Sequence, residues 1–130
     1  MRVHQRILST GFVFATASAL FLGLAPAASA GTNTGYVRTK DGNPGGKAAF
    51  FHKGDKISVC DINHDGYYAQ AELHTSARKV ITVTAKGHGN CTTKSKNLPE
   101  GTRVYVYVFL RKDGSRKKYW PAASQGWAKA

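Results

Sequence analysis

The chain has 130 residues, with 19 Lys and Arg against 7 Asp and Glu, and its formal net charge is +12. This length excludes two separately folded domains once a leader is removed, because each would be too small to bury its own core. The charge predicts a strongly cationic surface.

The first thirty residues run from a basic start at Arg2 and Arg6 through an apolar stretch to the small residues Ala28-Ser29-Ala30. This order is typical of a cleaved secretory signal peptide, and a retained membrane anchor is the alternative. We therefore expect a secreted, extracellular protein with a signal peptide over residues 1–30 and a single domain over residues 31–130. That domain keeps 17 Lys and Arg against 7 Asp and Glu, a net charge of +10, and no stretch of it could insert in a membrane.

Short runs with the period-two alternation of β-strands follow, and no stretch keeps a helical period. In chain order the strand candidates are TGYVRT, KAAFFHK, KISVC, KVITVTA and TRVYVYVFLR, and the expected core residues are Ile57, Val59, Ile81, Val83, Val104, Val106 and Val108. Turns rich in Gly, Pro and Asn separate the runs, and Asp113-Gly114 predicts a two-residue hairpin into RKKYW. The pattern predicts an all-β fold, a small antiparallel β-sandwich or barrel of six to eight strands over residues 34–120.

Two cysteines, Cys60 and Cys91, fall within the expected domain. Because an exported protein folds where disulfides form and persist, we expect these two to pair, and two free buried thiols are the alternative. Closing a loop of about thirty residues in this way would add roughly 3 to 4 kcal/mol to the stability of the fold.

The stretch DINHDGYYAQAE matches the calcium loop of an EF-hand, with Asp61, Asn63, Asp65, Gly66 and Glu72 at the pattern positions. A working loop needs a helix at each end, but KISVC before it and YYAQAELH after it both predict strands. In a strand, Glu72 would lie roughly 23 Å from Asp65 and could not be the twelfth ligand.

Three interpretations of this stretch stay open. The favoured one is a hairpin turn, in which the Asp and Asn side chains satisfy backbone groups and Gly66 supplies a positive φ. A weak, turn-borne calcium site formed by Asp61, Asn63, Asp65 and main-chain oxygens is the second, and a half EF-hand with AQAELHTSARK as its exit helix is the third. We expect no calcium site tighter than about millimolar, no other metal and no cofactor.

The segment GGKAAFFHKGDKISVCDINHDGYYAQAEL, followed by PEGTRVYVYVFL and a late Trp, resembles a group of uncharacterised small secreted actinobacterial (Streptomyces-like) proteins with a G-D-x-x-x-V-C-D-x-x-x-D-G core. The resemblance covers most of residues 45–110. It implies a compact β-sandwich with Asp61 to Gly66 as a strand-to-strand turn, and it implies no activity. Many members carry a second cysteine pair near the last hairpin, where this chain has Phe109 and Tyr119.

Candidate catalytic groups are few. Glu72 and His74 stand two residues apart with Arg78 nearby, and a secreted ribonuclease would use such groups for acid–base work and phosphate stabilisation. Outward Glu and His residues are ordinary on a solvated strand, so we assign no catalytic residue and favour a protein that is not an enzyme. A protease inhibitor presenting a loop such as residues 86–99 is a further alternative.

Charge is unevenly spread along the chain, with residues 55–72 carrying −3 and residues 73–130 carrying +10. The expected binding residues surround the clearest strand and its hairpin: Arg103, Arg111, Lys112, Arg116, Lys117 and Lys118, with Tyr105, Tyr107 and Trp120. Cations beside aromatic rings can engage an anionic cell-wall polymer, a polysaccharide or a nucleic acid, although basic residues also serve simply to keep a protein soluble. We expect a monomeric binding module for anionic polymers or cell-envelope surfaces.

Overall fold

The computed structural model describes residues 30–122 and 126–130, so the predicted signal peptide, apart from Ala30, lies outside the described residues. Eight strands and no helix are found there, and none of the described residues forms a helix able to cross a membrane. The strands are β1 (Val37–Arg38), β2 (Gly46–Phe51), β3 (Lys56–Asp61), β4 (Tyr68–Thr75), β5 (Lys79–Ala85), β6 (Cys91–Ser95), β7 (Arg103–Arg111) and β8 (Gly126–Lys129).

The strands form two antiparallel sheets of four strands each. Sheet A has the order β1-β2-β3-β6 and sheet B has the order β5-β4-β7-β8. The predicted all-β fold is confirmed, and two separate sheets make it a sandwich and not a barrel. The prediction that the strands end by residue 120 is wrong, because β8 pairs with the first half of β7.

The inward faces of the two sheets share one hydrophobic core. Alternate residues of β7 point into it, so Val104, Val106 and Val108 have no exposed surface, while Ile57 and Val59 close it from sheet A. Val83 is also fully buried, as predicted. Ile81 packs against the core but stays partly exposed, because β5 is an edge strand.

The predicted disulfide is confirmed. Cys60 of β3 lies directly opposite Cys91 of β6, and their sulfur atoms are 2.01 Å apart. Cys60 is buried, whereas most of β6 is exposed to solvent. The bond therefore fastens an edge strand to the sheet interior.

The loop over residues 62–67 carries the chain from sheet A to sheet B, since β3 and β4 belong to different sheets. It is a strand-to-strand turn, with Gly66 at a φ of 76°, but it is not the hairpin that we expected. The alternative with an exit helix is wrong, because residues 68–75 form β4. Glu72 lies in the middle of that strand, on the side opposite the core.

The predicted turn at Asp113-Gly114 forms, with the amide of Ser115 donating to the carbonyl of Lys112 at 3.0 Å. The returning strand RKKYW does not form. Within this run, Tyr119 alone forms a β-bridge with the preceding strand, to Leu110. Residues 112–118 are therefore a loop, and residues 118–122 run back over the outer face of sheet B, against Phe109.

Candidate functional site

The outer face of sheet B carries aromatic and basic side chains from neighbouring strands. His74, Tyr105 and Trp127 are paired across β4, β7 and β8, and form one row. Trp127 is 58% exposed, and the guanidinium of Arg103 lies 5.2 Å from the centre of its ring. We call this face, together with the loop over residues 112–118, the basic face.

Glu72 lies in the next row of the basic face and is almost fully buried there. One of its oxygens is 2.9 Å from Nε2 of His74, and the other accepts a hydrogen bond from Nζ of Lys118 at 3.0 Å, with Nζ of Lys79 at 3.7 Å. Burial acts to raise the pKa of Glu72, but the bonds from His74 and Lys118 outweigh it and leave the pKa lowered. Glu72 is therefore a carboxylate whose charge the protein itself neutralises.

A cleft of about 200 Å³ opens beside Glu72, where residues 118–122 cross the sheet. Its walls are mainly apolar, and Nζ of Lys118 lies 4.5 Å from the ring of Phe109. The residues that line it are Glu72, His74, Tyr107, Val108, Phe109, Lys118, Pro121 and Ala122. Sequence patterns could not predict this cleft, because it depends on a segment more than forty positions beyond Glu72 folding back onto β4.

The predicted binding residues fall into two groups. Arg103, Tyr105 and Tyr107 lie on β7 and belong to the first group. The second group surrounds the loop over residues 112–118, where rings and cations pack together in three contacts: Trp120 on Tyr67 at 5.1 Å, Lys112 over Tyr67 at 6.0 Å and Lys117 over Tyr119 at 5.2 Å.

Two of the predicted arginines are joined to each other. Arg111 donates from Nη1 to the carbonyl of Arg116 at 2.6 Å, which holds the loop against the end of β7. Lys118 binds Glu72 and is not available as a free cation in the way that we expected. Residues 79, 127 and 129 belong to the face but were not predicted, because only the sheet pairing brings them there.

Few of the cations on the basic face have an acidic partner. Among residues 30–122 and 126–130, the ion pairs are those of Glu72 and the exposed pair Lys86–Asp113. The cations of the face that form no ion pair there are Arg103, Arg111, Lys112, Arg116, Lys117 and Lys129. The face therefore carries positive charge that no carboxylate offsets.

The acidic residues crowded into residues 55–72 do not form one patch. Asp55 lies in the β2–β3 turn, where Oδ2 accepts a hydrogen bond from the amide of Leu98 at 2.9 Å. Asp61 and Asp65 lie at the other end of the sandwich, and Glu72 lies on the outer face of sheet B. The acidic residues that are close together in the sequence therefore lie in three separate places in the fold.

A second recess, of about 170 Å³, lies between the β3–β4 and β5–β6 loops. Asp61 is buried there, which raises the pKa of its carboxyl, and the backbone amide of Asn63 opposes this shift. His64 and His88 also line the recess, although sequence spacing did not associate them. Within the described part of the chain, no three His, Cys, Asp or Glu side chains converge as metal ligands.

The structure brings together only two of the three groups named for a ribonuclease. Glu72 and His74 do come together, but Arg78 lies in the β4–β5 turn and forms no ion pair or side-chain hydrogen bond with either of them. The segment over residues 86–99 is not one inhibitor loop, because β6 occupies its centre.

Comparison of the chain with models of protein families, with curated proteins and with solved structures finds no match. The resemblance to small secreted actinobacterial proteins stays a prediction.

Proposed function

We propose that the protein is a non-enzymatic binding module whose basic face takes a polyanionic cell-envelope polymer, with phosphate or carboxylate groups on a sugar or polyol backbone. The observation that carries this proposal is the unoffset positive charge of the basic face. A polymer that bears repeated anions can contact several of these cations at once, which raises its affinity. Its binding also releases the counterions that neutralised its own charges.

The cations packed on two of the aromatic rings favour a polymer of this kind over a nucleic acid. A single strand of nucleic acid binds by stacking its bases on open aromatic rings. Here the rings of Trp127 and Tyr119 already carry the cations of Arg103 and Lys117, at 5.2 Å in each case. These contacts hold the cations in place for phosphate or carboxylate groups, and a base would have to displace them.

The test compares two charge-reduced variants of equal net charge. The first replaces the loop cations Lys112, Arg116 and Lys117 with Ser, and leaves Lys118 on Glu72. The control replaces Lys53, Lys94 and Lys96 with Ser; these are exposed and lie outside the basic face. Binding is measured on an anionic glycan or polyol phosphate, and on single-stranded RNA, over a series of salt concentrations.

We expect the loop variant to bind the envelope polymer more weakly and with a shallower salt slope than the control. Equal binding by the two variants would contradict the proposal, because total charge and not the face would then govern it. Tighter binding to RNA than to the envelope polymer would replace the proposed partner with a nucleic acid.

A hydrolase is the second candidate, and the contact of 2.9 Å between Glu72 and His74 favours it. Against a hydrolase, both oxygens of Glu72 are already bound, so the carboxylate is not free to take a proton from a substrate. Cleavage of RNA by the purified protein, lost in His74→Ala, would establish this function in place of binding.

A further inference from the structure

The end of β3 is enclosed by the β5–β6 loop. The amide of Asp61 donates to the carbonyl of Asn90 at 2.9 Å, and its own carbonyl accepts from the amide of Gly89 at 2.8 Å. These bonds fix Asp61 at the base of the recess described above, between two loops that belong to different parts of the chain. We call this space the Asp61 recess.

One carboxylate oxygen in the Asp61 recess is left without a partner. The side chain of Asp61 is buried, with 2% of the residue exposed, and Oδ1 forms no hydrogen bond. A buried carboxylate is costly unless a hydrogen-bond donor or a cation offsets it. The basic residues do not serve here, because Asp61 forms no ion pair within the described part of the chain.

Other oxygens line the same space. Asp65 accepts the amide of Tyr67 with Oδ1 at 2.9 Å, which leaves Oδ2 without that bond. The side-chain nitrogen of Asn63 donates to the carbonyl of Asn43 at 3.3 Å, so its amide oxygen is left for another partner. Carboxylate and amide oxygens are the ligands that calcium prefers.

We propose that the Asp61 recess binds Ca²⁺, with the carboxylates of Asp61 and Asp65 and the amide oxygen of Asn63 as its protein ligands. This differs from an EF-hand, because Glu72 lies on the outer face of sheet B and the second wall comes from the β5–β6 loop. His64 and His88 do not make it a zinc site, since the described residues hold no group of three converging side chains of the kinds that zinc requires.

The affinity should be low. Only two carboxylates contribute, and the net charge of +10 in residues 31–130 (17 Lys and Arg against 7 Asp and Glu) opposes a divalent cation. We expect a dissociation constant of about 1 mM, within the range of extracellular calcium modules and no tighter than the sequence led us to expect. Bound calcium would tie together the β3–β4 and β5–β6 loops.

The experiment titrates the purified chain with CaCl₂ by calorimetry, and measures thermal unfolding in CaCl₂ and in NaCl of equal ionic strength. Terbium luminescence offers a direct probe, because Tyr67 lines the recess and can sensitise a bound Tb³⁺ ion. The variant is Asp61→Asn. Its control is Glu100→Gln, which removes one charge from an exposed residue away from the recess.

We expect one saturable calcium site, a midpoint of unfolding that rises in CaCl₂ and not in NaCl, and loss of both effects in Asp61→Asn alone. If Asp61→Asn fails to fold, Asp65→Asn should weaken binding by about tenfold or more. Absence of saturable binding, or a calcium response that survives in the folded Asp61 or Asp65 variant, would overturn the proposal. Binding of Zn²⁺ in preference to Ca²⁺ would overturn the choice of ion.

Discussion

Replacing Glu72 with Gln should destabilise the fold by removing a carboxylate on the outer face of sheet B that is both buried and paired. Its side chain is 9% exposed and bonds His74 at 2.9 Å and Lys118 at 3.0 Å. A hydrogen bond to a charged group contributes about 1.5 to 3 kcal/mol. Because Lys118 is 50% exposed, water screens its share, and we expect Glu72→Gln to lower the free energy of unfolding by about 1 to 2 kcal/mol.

A double-mutant cycle measured by urea unfolding isolates the bond to Lys118. Lys118→Met removes the ammonium group and keeps an unbranched apolar side chain, and the coupling between it and Glu72→Gln should be about 1 kcal/mol at neutral pH. Lys96→Met is the matched control, since Lys96 is exposed and forms no ion pair, and its coupling should be near zero. A coupling to Lys118 no larger than that to Lys96 would refute the reasoning.

The coupling energy between Glu72 and Lys118 should decrease at acidic pH. The pKa of Glu72 is lowered in the folded state, so its contribution is complete above the ordinary value of 4.5 and is lost as the pH falls through the lower folded value. A coupling that persists after Glu72 is protonated would show that packing, and not charge, joins the two residues.

Two further substitutions test the loops that hold the sandwich together. Asp55→Ala should cost about 1 to 3 kcal/mol in chemical unfolding, because the amide of Leu98 would lose its acceptor; an unchanged midpoint would contradict this. Gly45→Ala should lower the thermal midpoint, since an added Cβ would lie 2.6 Å from Oδ2 of Asp65 and 2.8 Å from Cδ1 of Leu110. Gly42→Ala is the matched control with open space around the added atom, and equal effects of the two would contradict the argument.

The fold could be predicted wherever burial follows strand alternation. In β7, inward Val and Leu residues alternate with outward Tyr and Phe residues from Val104 to Leu110, so the sequence alone locates the strand. In contrast, β6 has the sequence CTTKS and is mostly exposed, so no apolar pattern reveals it, and only its pairing with β3 makes it a strand. The run RKKYW was predicted to be a returning strand, but it forms none. Three of its five residues are charged, so it offers little apolar surface to pack against the core.

The candidate site could be predicted less well, because its key contacts join distant residues. We expected Glu72 to be an ordinary solvated residue, as alternation places it opposite the core. Lys118, which is 46 positions away, bonds Glu72 from the segment that crosses the sheet. The alternation of residues within β4 cannot predict that contact. His88 likewise reaches the Asp61 recess only because β6 pairs with β3 and brings the β5–β6 loop beside the loop over residues 62–67.

The position of the Cys60–Cys91 bond bears on which strand edge of sheet A is open to solvent. The strand that it fastens, β6, contributes little apolar surface, yet it covers the main-chain hydrogen-bonding groups along one side of β3. In a reducing environment, β6 would be held by those main-chain bonds and by the hydrogen bond from Oγ1 of Thr93 to Oγ of Ser58 at 3.0 Å, and its departure would expose the unpaired edge of β3, where another strand could add. The disulfide therefore keeps this edge of β3 covered, in addition to any stability that it adds to the single chain.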